Sequence, residues 1–132
     1  MNDLGLRGVE IGSIVQGVHM GNPIFGPFWE AIADMELFVF IHPSFVRTYD
    51  IKTMAACHLH NLFGNPMETG LTVADLVFSG ILERHPGLKI LLAHGGGAVM
   101  HLLKGGWVHG YEVRCEPRKY LQRSPIELIN KF

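Results

Sequence analysis

The apolar positions of this chain fall into two patterns. Leu37-Phe38-Val39-Phe40-Ile41-His42 and Leu88-Lys89-Ile90-Leu91-Leu92-Ala93-His94 are apolar runs with little alternation. Such runs predict strands buried on both faces, as in a parallel sheet. A shorter β-rich run, Gly8-Val9-Glu10-Ile11-Gly12, precedes them. Between the runs the period becomes helical. After Pro27, the residues Phe28, Trp29, Ile32 and Met35 predict one helix. Pro27 suits its first turn, where a missing N–H costs little. Val73, Leu76, Val77 and Ile81 form a second stripe. Thr72 is placed to cap that helix, and Asp75 suits the positive end of its dipole. The His85-Pro86-Gly87 break ends it before the next strand. A third helix is expected from Ala98 to Trp107, with Gly105-Gly106 weakening its end.

Strand and helix alternate three times, which predicts βαβ units, a parallel sheet and an α/β fold. The sequence shows no internal repeat, linker or low-complexity tract. The stretch Ser44 to Met67 is longer than an ordinary βα loop, and long loops after strand ends are where barrel enzymes build their sites. The tail from Cys115 to Phe132 is polar and carries Pro117 and Pro125.

The 132 residues suit one domain, and at 48% hydrophobic they carry enough apolar material for a core. A formal net charge of −1 gives no basic surface for nucleic acid or an anionic membrane. No apolar run is long enough to span a bilayer. Met1-Asn2-Asp3 does not begin a basic and then apolar leader, so a cytoplasmic location is expected. Cys57 and Cys115 fit no CxxC pattern and are expected to be reduced thiols.

Histidine is abundant, with eight in the chain. Two of them, His42 and His94, close the two apolar strand runs. A polar residue at the C-terminal end of a buried parallel strand points into the ligand face of the sheet. Imidazole there serves as a metal ligand or as a general base. One such histidine is explained by a hydrogen bond to a loop; two at equivalent places favour function. His94-Gly95-Gly96-Gly97 also resembles an esterase oxyanion loop, but no G-x-S-x-G accompanies it. A phosphate-cradling turn lacks its Lys and Ser/Thr, which leaves a tight βα turn that admits a substrate to the backbone. His58-Leu59-His60 has the spacing of a metal pair but lies outside any strand run, and on a helix two such residues diverge by about 200°. His85, His101 and His109 read as helix or helix-end residues, and His19 lies in a glycine-rich loop. Arg114 and Arg118 flank Cys115-Glu116-Pro117 and suit either a carboxylate clamp or a solvated surface.

Several of these elements occur together in a known order. They are Gly8-Val9-Glu10-Ile11-Gly12, Phe40-Ile41-His42-Pro43, Gly64-Asn65-Pro66-Met67-Glu68-Thr69, Arg84-His85-Pro86-Gly87 and Ala93-His94-Gly95-Gly96-Gly97-Ala98, followed by Pro117-Arg118-Lys119-Tyr120-Leu121. The chain resembles the aminocarboxymuconate-semialdehyde decarboxylase branch of the amidohydrolase-related family, over nearly all its residues. That resemblance implies a distorted (β/α)8 barrel with one divalent metal, usually zinc. It implies His42 as the metal ligand on the fifth strand and His94 as the acid–base residue on the sixth. It places Arg114 where the family holds a substrate-binding arginine. The implied substrate is a small unsaturated or aromatic carboxylic acid undergoing non-oxidative decarboxylation. Opening of a lactone and an inactive remnant are the alternatives.

By the same resemblance, residues 1–132 form the central segment of a single barrel domain, about strands four to six. The first-strand H-x-H and the eighth-strand Asp of the family have no counterpart here. The chain is therefore expected to carry one of the family's metal ligands, too few to hold zinc alone. Three βα units do not close a barrel, so open sheet edges and poor solubility or association are expected. A homo-oligomer is expected of the full-length enzyme.

Overall fold

A computed structural model describes residues 2–43, 51–113, 119–130 and 132. Three parallel strands form the central sheet: β1 (Gly8–Gly12), β4 (Phe38–His42) and β5 (Lys89–Leu92), in the order β1-β4-β5. A small antiparallel hairpin, β2 (Ile14–Val15) with β3 (Val18–His19), follows β1. Its turn is Gln16-Gly17, both at positive φ. The hairpin had no signal in the apolar pattern.

The helix α1 (Gly26–Asp34) returns the chain from the hairpin to β4, with Pro27 in its first turn as expected. Its Trp29 is fully buried and donates its indole N–H to the Met20 carbonyl at 2.9 Å. After β4, a short helix α2 (Ile51–Ala55) and helical turns through Gly64 lead into α3 (Asn65–Phe78). The expected long loop is thus largely helical where it is described. The helix α3 starts well before the expected cap. Thr72 lies inside it, donating its hydroxyl to the Glu68 carbonyl at 2.9 Å. Pro66 in the first turn starts the helix instead. Gly80, at φ 76, breaks the run before α4 (Ile81–Arg84), and His85-Pro86-Gly87 then ends it ahead of β5.

Beyond β5 come α5 (Val99–Leu102), a wider helical turn Leu103–Val108 and α6 (His109–Val113). The helical path passes through Gly105-Gly106 rather than ending there. A last helix, α7 (Pro125–Ile129), buries Leu128.

The core lies on one face of the sheet. Val39, Ile41 and Ile90 point into it and meet Trp29 and Ile32 of α1, Val73, Leu76 and Val77 of α3, Ile81 and Leu82 of α4, and Leu128 of α7. The other face carries Glu10, Phe40 and Leu91, which the register sets side by side. Phe38 and Leu91 are 56% and 61% exposed. Burial on both faces, the reading of the apolar runs, is therefore corrected. Among the described residues, helices cover one face, and Phe38 and Leu91 on the other meet solvent.

Candidate active site

The sheet register builds the site. Gly12 pairs with His42, and Ile41 pairs with Leu92, so the three strands end at one level. His42 is the last residue of β4. It shares a face with Phe40, their ring centroids 6.1 Å apart. His94 lies two residues past β5, in a turn rather than in the strand as its apolar run implied. The turn brings its ring to the same place: the His42 and His94 centroids are 5.3 Å apart, tilted by 49°.

That turn is made of left-handed backbone. His94, Gly95, Gly96 and Gly97 have φ of 55°, 56°, 81° and 63°. Glycine takes such values freely, whereas for His94 they are a local strain that surrounding contacts must hold. The contacts come from α3 and from within the turn itself. Ala98 N–H donates to the Pro66 carbonyl at 3.2 Å, and Gly97 N–H to the His94 carbonyl at 2.9 Å. A Cβ on Gly97 would stand 2.0 Å from the Pro66 oxygen, so only glycine fits the close approach.

The two imidazoles differ in their partners. His42 Nδ1 lies 2.8 Å from the Pro43 carbonyl. A carbonyl accepts only, so Nδ1 carries the proton and the Nε2 lone pair is left for a ligand. His94 Nδ1 lies 3.0 Å from the Thr69 hydroxyl oxygen. Partial desolvation, and then the nearby His42, push the His94 pKa below the ordinary imidazole range. Neutral His94, the form that accepts a proton, is favoured accordingly.

Beneath the site, Glu68 of α3 is fully buried and accepts the Ser13 hydroxyl at 3.0 Å. The bond ties the residue after β1 to the helix that carries Thr69. Ser13, Glu68 and Thr69 were not expected as site residues. Glu68 and Thr69 belong to the Gly64–Thr69 motif, which was a usable signal; Ser13 had none. A second polar cluster lies around the hairpin. Asp75 of α3 accepts the Gly21 N–H. Burial raises its pKa, and the Gly21 bond and His19 act in the opposite sense. His19 and Asp75 border a cavity of about 410 Å³ with Asn22. Another cavity, of about 430 Å³, lies behind the glycine turn among Val73, Ile90, Leu92 and Val99. The paired imidazoles do not line it.

The other candidates separate from this pair. His58 and His60 are exposed, His58 at φ 55 and His60 against Asn61 at 3.0 Å. Cys57 is a free, exposed thiol. Arg114, Cys115 and Arg118 lie outside the described residues. Among the described residues, no three His, Cys, Asp or Glu side chains are grouped to hold a metal. No described helix is long and apolar enough to cross a membrane.

Comparisons with known proteins give the family of this fold. The amidohydrolase family model matches residues 1–116, and the chain belongs to that family. It is 35% identical over 131 residues to a 2-amino-3-carboxymuconate-6-semialdehyde decarboxylase from Dictyostelium discoideum, covering 98% of this chain and 36% of that protein. Its fold matches 5-carboxyvanillate decarboxylase from Sphingomonas paucimobilis with a TM-score of 0.80 at 26% identity, over 97% of this chain and 39% of that one. It also shares the fold of a dihydroxybenzoic acid decarboxylase from Polaromonas, solved with bound manganese and 2-nitroresorcinol. There the TM-score is 0.80 at 18% identity, over 98% of this chain and 42% of that one. The chain thus spans about two-fifths of the length of these relatives.

Proposed function

We propose that this chain is the central part of a divalent-metal-dependent decarboxylase of small aromatic or unsaturated carboxylic acids. The observation that carries the reading is the His42–His94 pair, held at 5.3 Å where the strands end, in a chain whose relatives are decarboxylases. In this reading His42 would hold the metal through its Nε2 lone pair. One strand-borne imidazole fits such a metal as a single ligand, and the described donors are too few for a catalytic site of about three protein ligands. The manganese in the Polaromonas enzyme gives no preference for zinc.

The reaction assigned to His94 needs only a proton. In a non-oxidative decarboxylation the bond between the carboxyl group and its carbon breaks and carbon dioxide leaves. The electron pair left on that carbon binds a proton. His94, whose pKa its surroundings lower, takes up a proton from solvent at Nε2 and passes it to the carbon. Phe40, beside His42 on the open face, gives a flat apolar wall for an aromatic ring. Arg114 is proposed to hold the substrate carboxylate through a bidentate contact.

The test is carbon dioxide release from hydroxybenzoate-type and carboxymuconate-type acids by the full-length protein loaded with manganese or zinc. The expected result is release that falls roughly 10²–10⁴-fold in His94→Ala. Full activity in His94→Ala overturns the role of His94. Hydrolysis of a lactone without carbon dioxide release replaces the reading with the hydrolytic one.

A further inference from the structure

The Thr69 hydroxyl stands between two partners. It lies 3.0 Å from the Asn65 carbonyl oxygen, one turn back in α3, and 3.0 Å from His94 Nδ1. A hydroxyl has a single proton to give. If it gave that proton to His94, two bare oxygens would face each other at 3.0 Å and one hydrogen bond would be lost. If it gives the proton to Asn65, its lone pair receives an N–H from His94, and both contacts are hydrogen bonds. The second arrangement satisfies every group, and Thr69 is only 1% exposed, so water does not readily substitute.

We propose that Thr69 is a positioning residue that fixes His94 as the Nδ1–H tautomer, leaving the Nε2 lone pair for the site. Free neutral imidazole side chains favour the opposite tautomer, with the proton on Nε2. The protein therefore selects the form that accepts a proton from the site side. Two further features fit this assignment. The left-handed His94 backbone is docked on the same helix turn, through Ala98 N–H to the Pro66 carbonyl. Gly70 next to Thr69 leaves room for that docking, since a Cβ there would stand 3.1 Å from the Ala98 Cβ. The segment Asn65–Gly70 thus sets both the position of the ring and its proton. The biological meaning rests on the proposed role of His94, but the tautomer is read without any activity, so the two ideas fail separately.

The experiment is nitrogen-detected NMR of the ¹⁵N-histidine-labelled chain above the histidine pKa. His94 is assigned by the resonance lost in His94→Gln. The wild type is expected to show the Nδ1–H pattern at His94, and Thr69→Ser is expected to keep it. Thr69→Val has the same shape without the hydroxyl and is expected to move His94 toward Nε2–H. In the active full-length enzyme the same Thr69→Val change is expected to lower kcat roughly 10–100-fold with little change in KM, as when other orienting partners of site histidines are removed. An Nε2–H pattern in the wild type overturns the proposal, as does an unchanged Nδ1–H pattern in folded Thr69→Val. If Thr69→Val does not fold, the wild type and Thr69→Ser decide: Nδ1–H in both supports the assignment, and Nε2–H in either overturns it.

Discussion

The ring of His42 lies 5.3 Å from the ring of His94, although they are 52 positions apart in the chain and only His42 belongs to a strand. Two structures impose this. The parallel register sets the ends of β4 and β5 side by side. The four left-handed residues of the glycine turn then swing His94 back over the end of β4.

Gly97 is the tightest point of that turn. Its φ of 63° and ψ of −131° suit almost only glycine, and a Cβ there would strike the Pro66 oxygen. Gly97→Ala is expected to destabilise the chain by at least about 1–3 kcal/mol from backbone strain alone. Denaturant unfolding measures this. Gly95→Ala, with nothing within 4 Å of its Cβ, is expected to lose less. Equal losses would remove the close approach to α3 as the cause.

Glu68 couples β1 to α3 through Ser13. Glu68→Ala strands the Ser13 hydroxyl and opens a cavity, with an expected loss of about 1–3 kcal/mol. Glu68→Gln keeps an acceptor and is expected to lose less. The two unfolding midpoints compared with wild type check the order.

Asp75 sets a pH dependence. Its folded pKa is raised above the ordinary 3.8, chiefly by burial. Between the unfolded and folded values the native state holds more protons than the unfolded state, so stability falls as pH rises through that window. Stability from this group is full below the unfolded pKa and is lost above the folded one. Asp75→Asn retains an acceptor for Gly21 N–H without the charge. It is expected to flatten this fall, which urea midpoints from pH 3 to pH 7 would show. An unaltered profile would exclude Asp75 as the source.

The open sheet face predicts association. Phe38 and Leu91 expose large apolar surfaces on it, and Lys89 stands 5.6 Å from the Phe38 ring centroid, covering part of that surface. The chain is expected to self-associate at low micromolar concentration. Leu91→Lys is expected to weaken that association about tenfold or more, in line with the burial of one leucine side chain. Sedimentation velocity reads the outcome; a wild-type chain that stays monomeric would contradict it.

Much was legible along the chain because it is local. The three strands were marked by apolar runs, and β1 matches its expected bounds residue for residue. The helix after Pro27 follows from a 3.6-residue period and a proline that tolerates a first turn. His42 and His94 stood out because a polar residue ending an apolar run is informative in itself. The start of α3 was misplaced because Thr72 has a good capping side chain, while the bonds that decide its role lie one turn earlier, at Glu68 and Pro66.

The tertiary structure decided what depends on distance between remote residues. A run such as Phe38–His42 reads the same whether one face or both are covered; only the placement of α1, α3, α4 and α7 shows that one is. The clamp from Thr69 to His94 spans 25 positions and depends on the path of the glycine turn. Local pattern sets which backbone conformations are cheap, and so fixed the elements. Partners across the fold are chosen by packing and hydrogen-bond satisfaction together, and that choice brought one strand histidine and one turn histidine to 5.3 Å, ring to ring.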